Sequence, residues 1–363
     1  MKKLKTKIQS AFLWRYHLYI EPIFDLYGSF GAFLGFYYNL FFKFDKGRVV
    51  YIYANKRNVG DYISHKGIRL LIGHSGVDLY CSKAWISEFE KYINKAHDSQ
   101  KVAVIGGGGL LQPAFEDFWE KLLSSKIKFY CIGIGINFMN GRPLLKEELL
   151  REIVSRSEMC IVRDNFTFNK LSNLLGECSL SKLRLTACPS INFVNYLKKN
   201  NRLKQKAAQK TLVHVFHPSD LRLIGANIEL IRQNVMAYAN SRSLEYVETD
   251  NMSNDHINSI SLINNAELVV SSRLHGCIIA FSCQKRFIPL VCDNKTREFV
   301  ESHAKCEWIF ANEFEKNEVV QEVCDKALRE SNLIDSPTLQ NAIATTAAEL
   351  DSLKTYIKDN ETT

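Results

Sequence analysis

Arg273 and His275 interrupt an otherwise apolar stretch, residues 268–281, read as LVVSSRLHGCIIAF. A charged side chain between two such runs costs several kcal/mol if it is buried unpaired, so these two must meet solvent, a partner or a ligand. Three aliphatic residues followed by Ser271 and Ser272 read as a strand leaving the core, and residues 274–281 read as a helix packing back onto it. Arg273, His275 and Ser272 then stand where a strand ends and a helix begins. Free amide N–H groups and the helix dipole favour an anion there, a phosphate or a carboxylate. Protonated histidine is disfavoured at a helix amino end unless an anion is present. Ligand binding therefore raises the affinity of His275 for a proton, which suits a general acid switched on by substrate.

Other strand ends carry further candidates, each with a plainer reading beside it. Asn58, Gly60 and Asp61 (NVGD) either start a helix as turn and cap residues, or place Asp61 where it accepts a proton from a hydroxyl or binds a sugar. Residues 106–109 are four glycines, and Gly107 and Gly108 either form an anion nest or permit close packing. Their spacing fits neither the P-loop nor the dinucleotide fingerprint, so nucleotide hydrolysis is unsupported. Gly135 lies in a second cleared strand end, GIGIN. Arg163 is followed by Asp164, a pair that either begins a solvated helix or lets Arg163 clamp an anion with two parallel hydrogen bonds. His217 in VFHPSD reads as a simple loop histidine, whereas Asp250 and Asn251 either touch a ligand or form a polar loop. Lys295, between Asp293 and Arg297 in VCDNKTREF, adds a cation to the same rim.

The elements that must hold these residues are alternating strands and helices from residue 49 onward. Apolar runs at 49–53, 102–105, 129–134, 159–162, 212–216, 268–270 and 287–291 predict strands of parallel sheets wrapped by helices. The basic, aperiodic run KKNNRLKQKAAQK at 198–210 marks the domain junction. The expected fold class is α/β, with two Rossmann-like domains facing a cleft. The domains are 49–200 and 201–316, with a helical tail at 317–363. With 363 residues and 46% apolar composition the chain can fill two ordinary cores. Its 47 Lys and Arg against 39 Asp and Glu suit anionic small molecules or an anionic membrane face, and no motif supports nucleic acid. Ten scattered cysteines without a C-x-x-C pair indicate neither a disulfide framework nor a zinc site, so no metal is expected and a reducing cytoplasm fits. Residues 1–48 form an apolar, aromatic extension with a basic start. We read it as an interfacial segment at the inner face of the membrane; packing on the protein's own surface and a true span are its alternatives.

Taken in order, NVGD, GGGGLLQ, GIGIN, VRDNFTF, SSRLHG and VCDNKTREF resemble the polysaccharide pyruvyl transferase family over residues 49–305. The resemblance implies a GT-B-like fold. It also implies transfer of a pyruvyl group from phosphoenolpyruvate to two hydroxyls of one sugar, giving a cyclic ketal and phosphate, with no cofactor. The sugar belongs to a surface or exported glycan or its lipid-linked precursor. By resemblance Arg273, His275 and Arg163 bind the donor, and Asp61 and the glycine loops line the cleft. One departure stands out. Where many members carry Asp-Pro-Ala, this chain has Cys188, Pro189 and Ser190, which removes a carboxylate; the acceptor then differs, or Asp164 substitutes. The expected mechanism has His275 protonating the methylene carbon and Asp61 deprotonating the first attacking hydroxyl. The rival readings are a GT-B glycosyltransferase using a nucleotide sugar and a non-catalytic carbohydrate-binding protein.

Overall fold

The computed structural model describes residues 48–81, 86–137, 143–205, 210–304, 306–329 and 336–359. The interfacial reading of the N-terminal extension therefore lies outside the described residues. Among the described residues no helix is long and apolar enough to cross a membrane.

Two parallel sheets organise the chain. The first contains β1 (Val49–Tyr53), β2 (Gly76–Tyr80), β3 (Val102–Leu111), β4 (Lys128–Ile136), β5 (Met159–Val162) and β6 (Leu183–Leu185), in the order β2-β1-β3-β4-β5-β6. The second contains β7 (Thr211–Val215), β8 (Glu245–Thr249), β9 (Leu268–Ser271), β10 (Phe287–Val291) and β11 (Ile309–Phe310), in the order β11-β10-β9-β7-β8. Every pairing within them is parallel. Strands covered on both faces by crossover helices read as continuous apolar runs, and β1, VVYIY, is buried at all five positions. The architecture is the expected α/β fold with two Rossmann-like units.

In each sheet the strand order reverses once. The chain leaves β1 for β2 on one side and β3 on the other; it leaves β7 for β8 on one side and β9 on the other. The carboxyl ends of strands at such reversals border the crevice where open α/β sheets bind ligands. Helix α1 (Val59–Ile72) follows β1, α2 (Asn165–Ser172) follows β5, and α3 (Ser190–Lys199) follows β6. In the second half α4 (Leu274–Ser282) follows β9 and α5 (Asn294–Phe299) follows β10.

The two halves share an apolar core beneath the crevice. Val59 and Ile63 of α1 and Ile191 and Val194 of α3 pack in one cluster with Val213, Val269, Ile278 and Phe281 of the second half. Two terminal helices complete the fold. Helix α6 (Asn317–Arg329) buries Val320 and Cys324 in the core of the second sheet. Helix α7 (Ser336–Asp359) returns to the first half, where Leu350 and Leu353 cover Val49, Tyr51 and Ile68.

The glycine run differs from its sequence reading. It is not a loop after a strand: β3 continues through residues 106–109 to Leu111, with a register shift between Gly108 and Leu111. Gly107 has φ +81°, and a Cβ on it would lie 2.4 Å from the Cβ of Ser64 in α1. Close packing of α1 on the sheet is the reason for glycine there.

Candidate active site

A cavity of about 340 Å³ lies between the two strand-order reversals, lined among others by Asn58, Asp61, Arg163, Ser272, Arg273, His275 and Lys295. These seven are predicted site residues, drawn from both halves. Gly60, Gly107, Gly108 and Gly135 are not among the residues that line it: Gly60, Gly108 and Gly135 give clearance to side chains that do, and Gly107 lets α1 pack on the sheet. A Cβ on Gly60 would lie 2.1 Å from Nδ1 of His275; one on Gly108 would lie 2.5 Å from Oδ1 of Asp61; one on Gly135 would lie 3.1 Å from Nε of Arg163.

Local structure explains how each functional group reaches the cavity. Asn58 caps α1, its Oδ1 accepting from the Gly60 amide at 3.0 Å. Asp61 is thereby released from the capping role that its sequence position allowed, and its carboxyl turns into the crevice. Asp164 caps α2, accepting from the Thr167 amide at 2.7 Å, while Arg163 beside it lines the cavity, so both readings of that pair apply to different residues. Arg163 is 5% exposed, and its Nε and Nη1 have no hydrogen-bond partner within the protein. A buried guanidinium with unspent donors is costly unless a ligand accepts from them. Arg273 begins α4 without a side-chain cap, leaving that helix's first amides unclaimed by it, and donates from Nη1 to the Asp250 carbonyl at 2.7 Å. Lys295 Nζ reaches Asp293 Oδ2 at 2.9 Å and Asn137 Oδ1 at 3.1 Å, joining the two halves across the rim.

Charge and burial set the protonation states. Burial raises the Asp61 carboxyl to about 7, although Arg163, Arg273 and Lys295 pull it down. Burial, then the same three cations, holds the His275 imidazole well below its ordinary value. These surroundings keep His275 neutral and hold Asp61 at about 7. An anion bound among the cations cancels their effect on His275 and promotes its protonation.

Cys188, the departure noted in the sequence, lies behind His275 and is not a cavity wall. Its Sγ is 3.9 Å from His275 Nε2 and 3.1 and 3.2 Å from the hydroxyls of Ser64 and Ser190. Asp164 does not line the cavity either, so it does not stand in for a missing acceptor carboxylate.

Sequence reasoning also missed part of the wall. His217, Asp220, Gln112 and Asn137 line the cavity. His217 and Asp220 directly follow β7, the strand at the second reversal, and that position was the signal that could have found them. With Asp61, Asp220 and Asp293 facing Arg163, Arg273 and Lys295, the pocket has mixed polarity in place of the expected cationic rim.

A family model described as polysaccharide pyruvyl transferase matches residues 25–294. The chain belongs to that family. Polysaccharide pyruvyl transferases are transferases of polysaccharide biosynthesis, and membership implies a glycan acceptor. No curated protein matches the chain. Among solved structures it is similar to UDP-GlcNAc 2-epimerase from Methanocaldococcus jannaschii in complex with UDP-GlcNAc and UDP. There the TM-score is 0.60 at 11% identity, over 85% of this chain and 99% of that one. UDP-GlcNAc 2-epimerase from Neisseria meningitidis bound to UDP-GlcNAc gives a TM-score of 0.57 at 11% identity, over 84% and 98%. At such identity the likeness concerns the fold, and it agrees with a GT-B-like arrangement of two Rossmann-like units.

Proposed function

We propose that the protein transfers the pyruvyl group of phosphoenolpyruvate to two hydroxyls of one sugar in a glycan, forming a cyclic ketal and releasing phosphate. The observation that carries this reading is the convergence of unspent Arg163 donors, Arg273 at an open helix start, His275 and Asp61 in one cavity. Phosphoenolpyruvate carries a carboxylate and a phosphate, and arginine forks match both. The carboxylates of the mixed wall suit the other substrate, whose hydroxyls need acceptors.

The reaction balances within these residues. Donor binding charges His275, which gives its proton to C3 while the first sugar hydroxyl adds to C2 and Asp61 takes that hydroxyl's proton. The C2–O bond to phosphate then breaks and Asp61 returns its proton to the departing phosphate. The second hydroxyl closes on C2, and its proton restores His275. A base near 7 is well matched to this duty at neutral pH. Arg163 and Arg273 stay fixed and stabilise charge on the carboxylate and the leaving phosphate.

The test is incubation with phosphoenolpyruvate and the cell's lipid-linked or polymeric glycans, reading phosphate release and pyruvyl addition by mass spectrometry. We expect both from the wild type and neither from His275→Gln, with the same melting temperature within about 3 °C. A turnover by His275→Gln close to wild type would sink its assignment. A thermal shift by UDP-GlcNAc but none by phosphoenolpyruvate would instead favour a sugar-nucleotide enzyme.

A further inference from the structure

The donor cavity has a neighbour. A second cavity of about 400 Å³ is lined among others by Phe166, Asn294, Arg297, Phe310, Asn312 and Glu313. Asp293 lines both, so the two cavities adjoin at that residue. Both halves build the second chamber: Phe166 comes from α2, while Phe310 ends β11 and Asn294 and Arg297 belong to α5.

Its chemistry is unlike that of the first. One guanidinium, Arg297, shares the wall with the carboxylates of Glu313 and Asp293, and Arg297 Nε lies 3.9 Å from Glu301 Oε1. There is no surplus of positive charge for a phosphate. Two aromatic rings and two side-chain amides share the wall with the aliphatic Ile224 and Val291 and with Cys292. Phe310 is 53% exposed, braced by Trp308 at 5.1 Å in an edge-on contact. A large aromatic left open beside a concave surface marks a place that a ligand covers. A pyranose matches such a wall, since its C–H face covers an aromatic ring and its hydroxyls pair with amides and carboxylates.

We propose that this chamber binds the sugar unit adjoining the one that receives the pyruvyl group. The acceptor is then read as a neutral oligosaccharide of two or more units, not as a single sugar. The inference rests on reading the first cavity as the site of transfer.

The test uses a microarray of neutral oligosaccharides of one to four units, probed with protein saturated with phosphoenolpyruvate. The wild type should retain oligomers and release single sugars. Phe310→Ala should weaken retention tenfold or more while its thermal shift by phosphoenolpyruvate stays as in the wild type. Equal retention by the variant, equal binding of single sugars, or no glycan retained by the wild type overturns the proposal. So does a thermal shift by UDP alone that Phe310→Ala abolishes, because the chamber would then hold a nucleoside. Absence of the phosphoenolpyruvate shift in the wild type counts against the donor reading separately, and glycan retention lost in Phe310→Ala would still assign the chamber to a saccharide.

Discussion

Gly60→Ala separates the fold from the chemistry. A Cβ built on Gly60 lies 2.1 Å from Nδ1, 2.4 Å from Cγ and 2.8 Å from Cε1 of His275, whereas ordinary contact begins near 3.4 Å. The imidazole must therefore retreat by about 1.3 Å, the difference between those distances. Its open side is the cavity, so the move displaces no backbone. Gly60 is the second residue of α1, and alanine in a helix is favoured over glycine by up to about 1 kcal/mol. Stability should stay level or rise slightly. Activity should not: a reacting group misplaced by about 1 Å costs about 100-fold in rate, or about 2.7 kcal/mol in the barrier. Phosphate release from phosphoenolpyruvate in the presence of the acceptor measures the first quantity, and thermal denaturation the second. Turnover within about threefold of wild type would refute the reasoning, and so would a fall of many degrees in melting temperature.

Asp61→Asn tests the buried carboxyl through pH. Because Asp61 is held at about 7 in the native state, above its ordinary 3.8, its contribution to stability is complete below about pH 4 and is lost as pH rises through 7. The loss is on the order of 4 kcal/mol, so the melting temperature of Asp61→Asn should gain on the wild type from about pH 4 to 7 and level off above; a constant difference would contradict this. Arg163→Met removes a buried cation whose Nε and Nη1 lack protein acceptors. Its Nε also lies 4.0 Å from buried Asp164 Oδ2, so the loss leaves that carboxylate without its cation: stability should fall by about 1–3 kcal/mol and the thermal shift by phosphoenolpyruvate should vanish, whereas a shift as large as the wild type's would contradict the clamp. Gly107→Ala forces φ +81° on a side chain whose Cβ meets the Ser64 Cβ at 2.4 Å and the His65 amide nitrogen at 3.0 Å. Chemical denaturation should show a loss of about 2–4 kcal/mol, and less than about 1 would contradict the packing account.

The strands legible in the sequence are the interior ones. Every apolar run predicted as a strand is one, whereas β2, β6, β8 and β11 escaped notice, and these four are the sheet edges. Edges carry weaker signals: β2 alternates half-buried and buried positions, β8 contains two glutamates, and β6 and β11 are three and two residues long. Arg273, His275 and Arg163 were legible because charge beside an apolar run needs a partner. The glycines misled because a sequence shows that a side chain is missing without showing whose atoms fill the space. Gly60 makes room for a residue 215 positions away, a relation that only the packed chain contains. The carboxylate missing at Cys188 was likewise read as bearing on the acceptor, although the turn before α3 places Cys188 Sγ 3.9 Å from His275 Nε2.

The shared core beneath the crevice has a kinetic meaning. Val59, Ile63, Ile191 and Val194 are packed against Val213, Val269, Ile278 and Phe281 before any substrate arrives, so the floor cannot part without exposing apolar surface to water. The donor meets a basin already assembled and needs no swinging shut of one half upon the other. Capture should then follow second-order kinetics without a saturating isomerisation phase. Its rate should fall only weakly with added salt, because Asp220 and Asp293 on the same wall offset much of the long-range attraction to Arg163, Arg273 and Lys295.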